Sequence, residues 1–303
     1  MAKVKAFSAA LGLAACVSLP AAAAAAEWTA KPGTSYTAPS EGSRPTDGQS
    51  LPDGHVAVAS KGAIAKAWYI HPTKRYRHAI LGDDIEAGGL KVALRNGKTV
   101  ELSLPQNRVF EDRTPRLVDL DGDGESEIIT LLSSSSGGAA VAVYGLKSGK
   151  IALLDQTPFI GLSNRWRNFA GVADYNGDGA LEIAEVVTPH IGGTLRFWSW
   201  KDNKLQPAGA AKFFSNHALG AYEQRLSATA DFNGDGRPDL AVPGRSRDVL
   251  HLMGFIGDAR ELKPIASIVL RSSIAGAIVA NTKGGNTTLT VQLRDGSIWD
   301  ISQ

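Results

Sequence analysis

The chain has only one cysteine, Cys16, among its 303 residues. A disulfide within the chain is therefore excluded, even if the protein resides in an oxidising compartment. Stabilisation must come from a core, from bound ions or from both.

The chain also lacks a strong net charge. It has 32 basic and 30 acidic residues, and removal of the first 26 residues, with Lys3 and Lys5, would leave 30 of each. The composition is otherwise that of a globular protein, with 43% hydrophobic and 20% charged residues. An almost neutral chain gives no electrostatic reason to expect nucleic acid or an anionic membrane as a partner.

Residues 1–26 have the organisation of an export signal. Lys3 and Lys5 precede an apolar stretch from Ala6 to Leu19, and small residues lead up to Ala26. We therefore predict cleavage after Ala26 and a periplasmic or secreted protein; a transmembrane helix is the weaker interpretation. The string LAAC ending at Cys16 resembles a lipobox, so a lipoprotein anchored through Cys16 is the alternative.

The remaining chain divides into two parts. Residues 27–54 are rich in Pro, Ser, Thr and Gly and have no apolar period, which predicts a flexible linker. Residues 55–303 contain no comparable stretch, and we interpret them as one domain.

An internal repeat dominates this domain. The segments LVDLDGDGESEIITL, GVADYNGDGALEIAEV and ATADFNGDGRPDLAV align without gaps from Leu117, Gly171 and Ala228. Their first aspartates, Asp119, Asp174 and Asp231, are 55 and 57 residues apart. This spacing is typical of one four-stranded β-propeller blade per repeat.

Each repeat places oxygen-bearing side chains at loop positions 1, 3, 5 and 9, and glycines at positions 4 and 6 that permit a tight turn. Calcium prefers six to eight oxygen ligands, so the pattern predicts two to three Ca²⁺ ions. By analogy with other calcium loops, the main-chain carbonyl at position 7 is a further ligand. The predicted ligands are Asp119, Asp121, Asp123, Glu125 and Glu127; Asp174, Asn176, Asp178, Ala180 and Glu182; and Asp231, Asn233, Asp235, Arg237 and Asp239.

Two other interpretations of these loops have to be considered. A single Asp- and Gly-rich string is often an ordinary turn without an ion. Here the pattern recurs three times with an acid at position 9, and the carboxylates within one loop would repel one another unless they were protonated or neutralised. An EF-hand requires an acid at position 12, where only the second copy has one, Glu185. The flanks are short β-type stretches without helical periodicity, so we expect each loop to join two strands.

The three motifs resemble the FG-GAP or VCBS repeat of integrin-α-like propellers and of many exported bacterial proteins. RLSATADFNGDGRPDLAVPG, which contains the third loop, is an especially close match. The resemblance implies an all-β propeller of four-stranded antiparallel blades, with calcium between the first and second strands of a blade. It also implies adhesion, recognition or a propeller attached to some other activity, without naming a ligand.

The length favours five blades. The segment from about Tyr76 resembles a blade without calcium ligands, with strands in RHAILGD, LKVALRNG, KTVELSLP and NRVFED. The C-terminal part provides three strands, and the stretch AIAKAWYIHP near the N-terminus would complete the last blade and remove an exposed edge.

Strand alternation places the calcium loops on one face of such a disc and the links between blades on the other. This second face would collect Arg113, Arg167 and Arg225 with Trp166, a set suited to an acidic protein or polysaccharide ligand. The alternative is that these arginines pair with nearby acids and that Trp166 caps the core.

Catalysis has less support from the sequence. No GxSxG, HExxH, Walker or Gly-rich dinucleotide motif occurs, so we assign no catalytic residue and expect a binding module rather than an enzyme. The alternative is a carbohydrate-active enzyme or a lectin-like propeller acting on acidic glycans at the central mouth.

Overall fold

A computed structural model describes residues 27–257 and 259–303. These residues form 21 β-strands and no helix. The predicted export signal and lipobox at residues 1–26 lie outside the described residues. Within the part of the chain that the structure describes, no helix is long and apolar enough to cross a membrane.

Twenty of these strands form five four-stranded antiparallel units, which we number 1 to 5 from the N-terminus of the domain. In units 1 to 4 the strands pair in the order of the sequence, so each unit is a meander. The strands of unit 1 are β2 (Ala57–Val58), β3 (Ile64–Thr73), β4 (Glu86–Leu94) and β5 (Thr99–Ser103); of unit 2, β7 (Arg116–Val118), β8 (Glu127–Ser134), β9 (Gly138–Lys147) and β10 (Lys150–Gln156); of unit 3, β11 (Arg167–Ala173), β12 (Glu182–Val187), β13 (Thr194–Lys201) and β14 (Lys204–Lys212). The strands of unit 4 are β15 (Ala228–Ala230), β16 (Asp239–Pro243), β17 (Val249–Ile256) and β18 (Glu261–Val269); of unit 5, β19 (Val279–Lys283), β20 (Asn286–Gln292), β21 (Ile298–Ser302) and β1 (Thr29–Pro32).

Units 1 and 2 are joined into one nine-stranded sheet by a short additional strand, β6 (Arg108–Phe110). It pairs with β4 through Phe110 and with β8 through all three of its residues. The predicted all-β fold of four-stranded antiparallel sheets is therefore confirmed. The first two units, however, are joined through β6 instead of being separate sheets.

Unit 1 differs from the prediction. The stretch AIAKAWYIHP does not complete the last sheet; it forms β3, which pairs with β2 on one side and β4 on the other. Residues 77–83, predicted as a strand, form none. The physical reason is burial: Ile64, Ala67 and Tyr69 of β3 pack with Leu90 of β4 in a core cluster, which suits an internal strand.

The last unit is completed by an N-terminal strand, but a different one. β1 pairs antiparallel with β21, from Thr29 opposite Ser302 to Pro32 opposite Trp299. It is short, polar and ends in proline, as is usual for an edge strand.

Residues 27–54, predicted as a flexible linker, contain β1 and make further contacts with the domain. After β1, the hydroxyl of Tyr36 donates a hydrogen bond to the carbonyl of Ala277 over 2.9 Å. Glu41 then forms an ion pair with Arg113, and Ser50 bridges to Ile70. A polar, Pro-rich segment has no core-forming period of its own, yet it lies along the domain because strand edges and buried charges offer it partners.

The hydrophobic core consists of four clusters, and each spans two successive units. The internal strands contribute to two clusters at once because successive side chains point to opposite faces of a sheet. In β8, for example, Ile128 packs with unit 1, whereas Ile129 packs with unit 3. In β16, Leu240 packs with unit 3 and Ala241 with unit 5. Burial on both faces explains the continuous apolar runs of these strands.

Candidate metal-binding loops and the opposite face

The three predicted loops occupy equivalent places in units 2, 3 and 4. Loop 1 (residues 119–127) connects β7 to β8, loop 2 (174–182) connects β11 to β12, and loop 3 (231–239) connects β15 to β16. Each therefore joins the first two strands of its unit, and none is followed by a helix. Glu185, the acid at position 12 of the second copy, lies in β12 and forms an ion pair with Arg167 instead of contributing to loop 2.

The first aspartate of each loop holds the loop closed by accepting a hydrogen bond from the backbone of the glycine at position 6. Because this bond spans five residues, it curls the chain around the aspartate. The distances are 3.0 Å for Gly124 to Asp119, 3.0 Å for Gly179 to Asp174 and 2.8 Å for Gly236 to Asp231.

Two further hydrogen bonds also recur in all three loops. The carboxylate at position 5 accepts from the backbone N–H at position 7, and the acid at position 9 accepts from the N–H at position 2. The first set is Glu125 to Asp123 at 2.7 Å, Ala180 to Asp178 at 2.9 Å and Arg237 to Asp235 at 2.9 Å; the second is Leu120 to Glu127 at 2.8 Å, Tyr175 to Glu182 at 2.9 Å and Phe232 to Asp239 at 2.9 Å. Ligation by the position 7 carbonyls stays a prediction.

The curl depends on two glycines per loop that adopt the left-handed conformation. In loop 1, Gly122 and Gly124 have φ of 76° and 93°, values that residues with a Cβ rarely adopt. Loops 2 and 3 repeat this arrangement. The sequence pattern therefore specifies a backbone shape as well as a set of ligands.

The curled backbone brings carboxylates together in loop 1. One oxygen each from Asp119, Asp121 and Glu127 lies within 4.8 Å of the others. In addition, Oδ1 of Asp119 is buried and has no hydrogen-bond partner. Hard oxygen donors that converge, one of them without a partner, fit a calcium ion.

The electrostatics of the loops indicate crowding of negative charge. Burial, reinforced by Asp121 and Asp123, raises the pKa of Glu127 to about 7. Burial, reinforced by Asp235 and Asp231, likewise raises the pKa of Asp239 to about 7. A bound cation would favour the ionised forms of Glu127 and Asp239, which burial and the neighbouring carboxylates disfavour.

Each loop also has one cationic side chain nearby. A hydrogen bond from Lys61 lowers the pKa of Asp119, one from Lys201 lowers that of Asp178, and one from Arg237 lowers that of Asp235. The lysine contacts, 2.8 Å and 2.7 Å long, come from β-hairpins outside the loops. These cations neutralise part of the loop charge.

On the opposite face, the predicted ligand-binding arginines have internal partners. Arg113 is buried and lies 2.8 Å from Glu41 and 3.0 Å from Asp53. Arg225 is partly exposed and forms two hydrogen bonds of 2.7 Å with Glu223. Binding an external anion through Arg113 would require separating this buried guanidinium from its two carboxylate partners.

Arg167 and Trp166 are also committed to internal contacts. Arg167 lies 2.7 Å from Glu185, and both side chains are buried. Trp166 is 2% exposed and donates from Nε1 to the carbonyl of Glu111 over 2.9 Å. The structure thus supports the alternative stated for these residues, in which the arginines pair with acids and the tryptophan caps the core.

Sequence reasoning missed a buried polar network on this face. Asp112 lies at its centre and is wholly buried. It accepts hydrogen bonds from Tyr69, Gln224 and Arg116, which come from units 1 and 2 and from the link into unit 4. The only local signal is the charged string EDR directly after β6, because the partners are distant in sequence.

Comparison with known proteins supports the repeat but not a wider assignment. A family model described as FG-GAP repeat matches residues 225–246, which contain β15, loop 3 and β16. No curated protein matches the chain. An FG-GAP repeat is therefore present in unit 4 of an all-β fold.

Proposed function

We propose that the protein is an exported, five-bladed propeller whose blades are stabilised by calcium and which serves as a recognition or scaffolding module. The observation that carries this proposal is the threefold recurrence of one loop, with the same hydrogen bonds, between the first two strands of units 2, 3 and 4. The FG-GAP match in the third of these units supports it independently.

Five blades are supported by the way in which the units pack. Core clusters connect units 1 and 2, 2 and 3, 3 and 4, and 4 and 5 in series. The fourth strands follow the same order, since β5 lies beside β10, β10 beside β14, β14 beside β18, and β18 beside β1. Radial repetition of this kind leaves only short edges, and β1 covers the one that β21 would otherwise expose.

Calcium is supported by the donor set. Ligands at positions 1, 3, 5 and 9 are carboxylates or amides, which are the oxygens that this ion prefers. Binding would be linked to folding because the loops connect strands whose pairing brings the ligands together. The residues that would hold the ions are those predicted from the sequence in loops 1 to 3.

A recognition or scaffolding role is favoured over the glycan-active alternative. FG-GAP repeats occur in propeller proteins that are not enzymes. The arginines that would bind an acidic glycan have internal carboxylate partners, and Trp166 offers almost no surface for stacking.

The test is thermal unfolding of the purified protein with excess calcium, with excess magnesium and with chelator. We expect calcium to raise the melting temperature and magnesium to do so much less, because the smaller ion demands a stricter geometry. Equal melting under all three conditions would refute calcium stabilisation.

The variant Asp235→Asn sharpens this test. It keeps an oxygen that can accept from the N–H of Arg237 but removes one charge from loop 3. We expect a smaller calcium-induced rise in melting temperature than in the parent. Glu261→Gln, on the exposed strand β18, is the matched control and should retain the full rise.

A further inference from the structure

A pocket of about 260 Å³ lies on the face opposite the calcium loops. It is formed by the β3–β4 loop of unit 1, the β12–β13 loop of unit 3 and the links into units 3 and 4, so it joins three units at one place. Its lining includes His78, Ile80, Arg165, Trp166, His190 and Leu219.

A chain of hydrogen bonds determines the protonation of His190. The carbonyl of Ala221 can only accept, so Nε2 of His217, 2.8 Å away, carries a proton. Burial lowers the pKa of both His217 and His190 to about 4, so both rings are neutral near pH 7. Nδ1 of His217 then accepts from Nε2 of His190 over 3.0 Å. Nδ1 of His190 is consequently left as a hydrogen-bond acceptor.

The second histidine of the pocket is oriented in a similar way. Nδ1 of His78 lies 2.5 Å from Oε1 of the buried Glu111, whose other oxygen accepts from Ser133. This leaves Nε2 of His78 as the ring nitrogen available to a ligand. The pocket thus contains two imidazole rings, each oriented by a hydrogen bond between one of its nitrogens and a buried side chain.

The remaining walls are mostly apolar. Ile80 and Trp166 form the buried part, while Ile191 and Leu219 stand at the rim with 61% and 71% of their surface exposed. Exposed aliphatic side chains around a cavity are typical of binding sites. The cavity is smaller than pockets for drug-sized molecules, which measure about 300–1,000 Å³, and so suits a single aromatic side chain.

The rim carries positive charge. None of the residues lining the pocket is acidic. Among the described residues, Arg165 forms no ion pair, and the only hydrogen bond of its side chain goes to the carbonyl of its neighbour Asn164. Charge complementarity therefore favours an acidic ligand at this rim.

We propose that this pocket binds an aromatic side chain that carries a hydrogen-bond donor, a phenol or an indole, presented by an acidic segment of a partner protein. The ring occupies the apolar walls, its donor reaches Nδ1 of His190, and Arg165 pairs with a carboxylate of the segment. This inference rests on the proposed recognition role and specifies the site and the class of its ligand.

The test uses a short blocked peptide with one tyrosine between glutamates, titrated into the calcium-loaded protein. Binding is followed by the NMR signals of the histidine rings. A phenylalanine peptide should bind at least tenfold more weakly, because it leaves the histidine acceptor unpaired. A peptide with lysines in place of the glutamates should also bind at least tenfold more weakly.

Two variants locate the binding. Leu219→Asp places a charge on an exposed rim residue, so it should not unfold the protein and should weaken the tyrosine peptide at least tenfold. Val58→Asp, at a residue that is 66% exposed on β2 and outside the pocket, is the matched control and should bind like the parent.

The outcomes separate this inference from the proposed function. Equal affinity for the two aromatic peptides, or no effect of Leu219→Asp, would overturn the pocket assignment while leaving a recognition role elsewhere. No binding of any peptide to a protein that calcium still stabilises would overturn the pocket assignment but not the calcium-stabilised fold.

Discussion

The guanidinium group of Arg167 lies 2.7 Å from Oε1 of Glu185, and the two side chains connect β11 to β12 inside unit 3. Nε1 of Trp198 donates to the same carboxylate oxygen over 2.7 Å. Both ionised groups are almost wholly buried, and Oε2 of Glu185 has no partner. The pair therefore depends on both of its members being present.

Removal of Arg167 should be costly for this reason. We expect Arg167→Met to lower the free energy of unfolding by about 3–5 kcal/mol, because it leaves the carboxylate of Glu185 buried without its cation. Urea denaturation measures the change. In the double variant Arg167→Met, Glu185→Leu the loss should be smaller, since no charge remains buried. Losses that simply add would contradict a coupled pair.

The loops could be predicted from the sequence because everything that defines them is local. Positions 1, 3, 5 and 9 and the left-handed glycines lie within nine residues, and the recurring hydrogen bonds of loop 3, for example, span at most seven residues. Unit 4 and the three C-terminal strands of unit 5 were also predictable, since these strands follow one another through short turns.

The pairing of β1 and the burial of Asp112 could not be predicted in the same way. Thr29 pairs with Ser302 at the other end of the chain, and Asp112 accepts from Gln224, more than one hundred residues away. A Pro- and Ser-rich string or a charged string has the composition of exposed chain. These two segments are paired or buried only because residues far away in the sequence bond to them.

The N-terminal strand should contribute to stability through Trp28. Its ring meets that of Phe232 edge to face, with 5.7 Å between the centroids, and so anchors β1 beside loop 3. We expect Trp28→Ala to lower the free energy of unfolding by about 2–3 kcal/mol, less than for a fully buried ring. Lys31→Ala, on an exposed residue of β1, should change it by less than about 0.5 kcal/mol. Two equal effects would mean that residues 27–32 do not anchor the domain.

The two buried histidines predict a specific pH dependence. His190 and His217 have pKa values lowered to about 4 by burial, and Arg247 lowers both further whereas Glu223 opposes this at His217. An unfolded histidine titrates near 6.5, so between about pH 6.5 and 4 the unfolded chain binds more protons than the folded one. Stability is therefore complete above pH 6.5 and decreases as the pH falls towards 4.

Urea denaturation between pH 5 and pH 7.5 measures this decrease. His217→Gln removes one titrating group, so its stability should depend less steeply on pH over this range, whatever its stability at pH 7.5. Parallel curves for the parent and the variant would exclude His217 as a source of the dependence.

The backbone shape of loops 1 to 3 and their charge should affect stability separately. Gly236 has φ of 83°, and a Cβ at this position would meet no atom within 4 Å, so Gly236→Ala introduces backbone strain alone. We expect a loss of about 1–2 kcal/mol, and a smaller loss for Gly236→Asn, which tolerates this conformation better. Gly48→Ala, where a Cβ is equally free and φ is not positive, is the control.

Because the strain of Gly236→Ala belongs to the backbone, the loss of stability should persist in chelator, whereas the loss caused by Asp235→Asn should require calcium. Urea denaturation of these variants with calcium and with chelator distinguishes the two effects, and a Gly236→Ala loss that vanished in chelator would show that the curled backbone forms only around the ion.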